Sequence, residues 1–113
     1  MAVKQGEVGR VIRLAAYYDM SNNTELKVII RKPDGAKVEK TKTGGAVTLG
    51  VSNVTDTDLG ALLANQYAEY VVESGIFDIV GRYMFELVYI DSSPSENLYG
   101  ETVYIDVVRN LES

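Results

Sequence analysis

The sequence has no cysteine, no histidine and no tryptophan, and only two prolines in 113 residues. Without cysteine and histidine there is no disulfide, no thiolate nucleophile, no imidazole base and none of the usual zinc or iron ligands. Positive charge is also short: 11 Lys and Arg stand against 16 Asp and Glu, a formal charge of −5, which argues against nucleic acid as a partner. The start, Met1-Ala2-Val3-Lys4-Gln5-Gly6-Glu7, lacks the apolar run of a secretory leader. No stretch elsewhere is long and apolar enough to cross a bilayer as a helix, so no membrane partner is expected. No Gly-x-Ser-x-Gly elbow or Ser-x-x-Lys surrounds a serine, and Gly44-Gly45 is too short to cradle phosphates. Enzymatic activity and a cofactor are therefore not expected.

What remains is ordinary globular composition, 46% hydrophobic and 24% charged, in a chain of one-domain length. The expected division is an extended N-terminal arm over residues 1–9, loosened by Gly6 and Gly9, and a single domain over 10–113. Its centre is the run from Asp78 to Asp91. As a strand, it puts Tyr83, Phe85, Leu87 and Tyr89 on one face and Met84, Glu86, Val88 and Ile90 on the other, which suits the middle of a sheet.

Other runs read as strands too. Val8–Tyr18 comes first, followed by the turn cluster Asp19–Asn23. Thr24–Arg31 alternates cleanly, and Lys32-Pro33-Asp34-Gly35 turns it back into Ala36–Thr41, whose lysines suit a sheet edge. Ala46–Val51 is short. Residues 58–74 admit helix or strand: Leu59, Leu62, Leu63, Tyr67 and Tyr70 fit a helical stripe, while Tyr67–Glu73 alternates. The compromise is a helical turn near residues 57–64, capped by Thr57 or Asp58, and then a strand from Gln66 to Glu73. Asp91–Gly100, with Pro94, reads as a solvent loop, and Thr102–Val108 closes the fold with Val103, Ile105 and Val107 inward. Short strands at this spacing predict an all-β, antiparallel sandwich.

The acids offer two kinds of candidate site. Asp56 and Asp58 could offer oxygens to calcium, but the remaining ligands of an EF-hand are missing; the plainer reading has Asp58 capping a turn and Asp56 solvated. Glu69, Glu73 and Asp106 could supply a hydrolytic carboxylate pair, yet acids on sheet surfaces mostly serve solubility. No metal site is assigned. The eight tyrosines are more informative, because tyrosine buries area at interfaces and keeps a polar tip. Tyr17, Tyr18, Leu98, Tyr99 and Tyr104 are the candidate partner-binding residues, set against half-buried sheet tyrosine as the alternative.

Asp78-x-x-Gly81-x-Tyr83 resembles the tyrosine corner of immunoglobulin-like sandwiches. The lead-in Lys4-Gln5-Gly6-Glu7-Val8-Gly9, the hairpin Arg31-Lys32-Pro33-Asp34-Gly35, and the pair Ala64–Glu73 and Gly81-Arg82-Tyr83 through Leu87-Val88-Tyr89 together resemble immunoglobulin-like structural proteins of tailed bacteriophages. The likeness runs in order along nearly the whole chain. It implies an immunoglobulin-like fold and a non-enzymatic virion component: a capsid-decoration, tail or baseplate module, assembled in the host cytoplasm, that binds other virion proteins or copies of itself. A carbohydrate- or cell-surface-binding sandwich is the alternative.

Overall fold

A computed structural model describes residues 2–92 and 96–111 of the chain. Ten strands follow in order: β1 (Ala2–Lys4), β2 (Val11–Ala15), β3 (Glu25–Arg31), β4 (Lys37–Thr41), β5 (Val47–Leu49), β6 (Val54–Asp56), β7 (Gly60–Leu62), β8 (Tyr67–Val71), β9 (Gly81–Asp91) and β10 (Glu96–Val108). Among the described residues there is no helix. The protein is all-β.

One sheet has the order β1-β10-β9-β3-β4 and a second β2-β8-β5, with β6 and β7 forming a separate hairpin. All pairings are antiparallel except β1 with β10. Alternation decides which side of each strand is buried. Tyr83, Phe85, Leu87 and Tyr89 on β9 join Leu26, Val28 and Ile30 on β3, and Ile105 and Val107 on β10. They meet Ile12 and Leu14 on β2, Tyr70 and Ala68 on β8, and Val47 on β5 in one continuous core between the two sheets. Each large apolar side chain buried there contributes about 1.5–3 kcal/mol. β9 is central, as expected, and the lysine-bearing β4 is the sheet edge.

The chain between β8 and β9 closes one end of the core. Phe77, outside any strand, sets its ring edge-on to Tyr83 at 5.2 Å and to Phe85 at 6.1 Å. The buried Tyr83 hydroxyl accepts the Ile79 N–H at 3.2 Å and lies 3.5 Å from Asp78 Oδ1. At the open side of β4, Lys40 reaches Glu73 at 3.1 Å, and the same carboxylate oxygen accepts the Tyr70 hydroxyl.

Three expectations need correction. Residues 2–9 do not form a separate arm. Val3 is only 2% exposed, β1 is zipped onto β10, and Gln5 and Gly6 donate backbone N–H groups to the Val108 and Phe77 carbonyls. Met1, counted in the arm, lies outside the described residues.

Residues 57–64 are not a helical turn. β6 and β7 pair directly, and Asp56 Oδ1 accepts the N–H groups of Asp58 and Leu59. The side chain that forms the turn is thus that of Asp56, not of Asp58 or Thr57. Leu62 from β7 and Leu59 from the turn before it cover Ala15 and Tyr67 as a small second core, so the leucines are brought together by a hairpin and not by a helical stripe.

Asp91–Gly100 is not an open loop. β10 begins at Glu96 and pairs with β9 from there, with a register shift between Tyr99 and Thr102. Pro94 lies outside the described residues.

Candidate functional site

The strands of the larger sheet present a second, uncovered face. Register places its outward residues in rows across β10, β9, β3 and β4. The first is Tyr104, Met84, Arg31 and Lys37; the second Thr102, Glu86, Ile29 and Glu39; the third Tyr99, Val88, Lys27 and Thr41. Asn97, Ile90 and Glu25 follow in a shorter row. Met84, Val88 and Ile90 on β9 and Ile29 on β3 form an apolar strip down the middle, interrupted by Glu86 and with Val88 only 7% exposed. Tyr104 and Tyr99 stand along one side, 53% and 62% exposed, and Arg31, Lys37 and Lys27 along the other. Arg82 ends the tyrosine side. Its guanidinium is held by Asp106 at 2.9 Å and lies 5.8 Å from the Tyr104 ring centre, so the tyrosine is braced and loses little freedom on contact.

This face gathers two of the five residues chosen from sequence, Tyr99 and Tyr104. Leu98 pairs with Tyr89 and so points to the other side of β10. Tyr18 is half-buried, its ring edge-on to Tyr89 at 5.8 Å. Its hydroxyl, among the described residues, is buried without a hydrogen-bond partner, and burial, aided by the charge of Glu96, pushes the phenol up. Tyr17 is half exposed in a left-handed conformation, φ 61°, its N–H turned to the Gln66 carbonyl. It follows the end of β2 and belongs to no strand of the larger sheet. The apolar and cationic halves of the face, Met84, Ile29, Val88, Lys27, Arg31 and Lys37, were not singled out as a site. The alternation of β9 and β3 carried the signal, but only register brings the columns together.

The acids are occupied otherwise. Arg13 joins Glu69 at 2.9 Å and Asp56 at 3.3 Å, which ties the β6–β7 hairpin to the smaller sheet. Glu73 sits on Lys40, and Asp106 on Arg82. Among the described residues no group of three or more Asp, Glu, His or Cys could hold a metal ion. No family model and no curated protein matches the chain.

These contacts make stability depend on acid. Partial burial works against the charge of Asp56, but its two backbone N–H partners and Arg13 outweigh it, so the carboxyl lies below the ordinary range. Lys32 lowers Asp78, and Lys40 lowers Glu73. A carboxyl lowered by folding binds fewer protons folded than unfolded. Its contribution is complete above the unfolded value and is lost as pH falls through the folded one. Melting temperature is therefore expected to be flat from about pH 8 to 5 and to fall below about pH 4. Melting curves across that range check it, and a protein equally stable at about pH 2 would show that the pairs contribute nothing.

Proposed function

We propose that the protein is a non-enzymatic assembly or attachment module of a tailed-bacteriophage particle, built on an immunoglobulin-like sandwich. The observation that carries the assembly reading is the uncovered sheet face, with its apolar strip between two exposed tyrosines, one of them braced by Arg82, and a row of cations. Interfaces are enriched in tyrosine and arginine and exclude water around an apolar centre. The topology supports the immunoglobulin-like reading: the first strand runs parallel to the last, the last three sheet neighbours are antiparallel, and β2, β8 and β5 form the facing layer. So does Tyr83, which enters β9 two residues after Gly81 and bonds back to the backbone at Ile79, as in a tyrosine corner. The virion assignment rests on the motif resemblance.

Mass spectrometry and antibody labelling of purified particles, from the phage or prophage whose genome carries the coding sequence, test the reading. The chain is expected in the particles, in many copies, and on their surface. A chain absent from purified particles, or encoded outside any such genome, overturns it. Tyr99 and Tyr104 on an open face also fit a sugar-stacking platform; a glycan array with wild type and Tyr99→Ala is expected to be blank, and binding lost on substitution would favour a carbohydrate-binding module instead.

A further inference from the structure

We infer that the occupant of the open face is a second copy of this chain, held face to face about a two-fold axis. The inference rests on reading the face as an assembly surface, and not on where the assembly sits. Two-fold interfaces require a patch that complements itself. The rows provide one, because the aromatic column lies on β10 and the cationic column two and three strands away on β3 and β4.

An axis parallel to the strands, between β9 and β3, exchanges β10 with β4 and β9 with β3. Each row then meets itself reversed. Tyr104 faces the partner's Lys37, Met84 faces the partner's Arg31, and Glu86 faces the partner's Ile29 between two cations. Lys37 thus meets the Tyr104 ring and Arg31 the methionine stem, while in the third row Lys27 meets the partner's Val88 and Tyr99 the partner's Thr41, and the carboxylate of Glu86 does not meet its own image. An axis along β9 would instead set Glu86 against Glu86 and is disfavoured. Lys37 leans on Glu39 at 3.1 Å within its own chain, an exposed pair that holds it weakly.

The face measures roughly 20 Å by 20 Å from strand spacing and rise, about half of the ~800 Å² per partner of a standard interface. The contact is accordingly weak in free solution and gains from many copies held close together on a particle.

Sedimentation equilibrium of the full chain from about 10 μM to about 1 mM should show the mass rising from one chain to two, as expected for an interface of this size. Tyr104→Lys sets lysine against the partner's Lys37 and should weaken the dimer at least about tenfold. Adding Lys37→Glu should restore it to within about threefold. Within one chain the two positions are three strands apart, so the rescue can only act across the interface. Both are exposed, and unchanged melting temperatures confirm folding. A monomer at every concentration, a larger oligomer, a dimer indifferent to Tyr104→Lys, or a failed rescue each overturns the inference. A monomer that is still found in particles overturns the dimer and leaves the virion reading standing.

Discussion

Gly50→Ala is expected to destabilise the protein by about 3 kcal/mol, at the upper end for overpacking a buried site, and to lower the melting temperature by roughly 10–20 °C. A methyl group at this position would lie 2.1 Å from the Tyr67 ring. Neither side can step aside. The Gly50 N–H is bonded to the Tyr67 carbonyl at 2.9 Å, and its own carbonyl accepts the Asn65 N–H at 2.7 Å. The ring is buried between Ala15 and Leu62, with its hydroxyl donated to the Ser52 carbonyl at 2.8 Å. The same glycine change in a Tyr67→Leu background should cost less than about 1 kcal/mol, because contacting residues are not additive. Equal penalties in both backgrounds would mean that the ring is not the obstacle.

Phe77→Ala should cost about 3–5 kcal/mol, the usual range for emptying a buried phenylalanine site. Its ring abuts Tyr83 and Phe85 edge-on, and its carbonyl receives the Gly6 N–H. The substitution thus opens the core where the β8–β9 connection plugs it, beside the bond that anchors the first strand. Phe77→Leu, close in volume, should cost under about 1.5 kcal/mol. Tyr99→Ala, on the open face, should stay within about 0.5 kcal/mol. Urea melts of the three variants decide the matter: a cost below about 1 kcal/mol for Phe77→Ala would show that the connection merely lies over the core.

The contrast also says what the sequence could reveal. β3, β4 and β9 were legible because seven or more residues alternate, or because Pro33-Asp34-Gly35 fixes a turn, and local pattern and tertiary burial agree there. β1 was not: three residues with one buried side chain carry no period, and Val3 becomes a strand residue only through β10. Leu59, Leu62 and Leu63 suggested a helix because their spacing fits one. The Asp56 carboxylate and the cover needed by Ala15 and Tyr67, both tertiary facts, chose the hairpin. The start of β10 was hidden by Gly100 and the polar residues around it. Of the site, the exposed tyrosines of β10 could be picked by type. Which of them share a face with Met84 and Lys37 depends on cross-strand register and on the irregularity after Tyr99, neither of which a single strand encodes.

The parallel pairing of β1 with β10 bears on how the molecule is made. Ala2 waits for Asp106, and Lys4 for Val108, so about a hundred residues must leave the ribosome before the first strand has anywhere to bind. β9 likewise lacks one neighbour until β10 follows it. Closing so large a loop carries an entropic penalty that only late contacts offset, and chains dominated by such pairings fold slowly. During synthesis the inward faces of β3 and β9 stay open to other nascent copies on the same message. The yield of folded chains would then depend on chaperone capture of those faces until β10 has emerged.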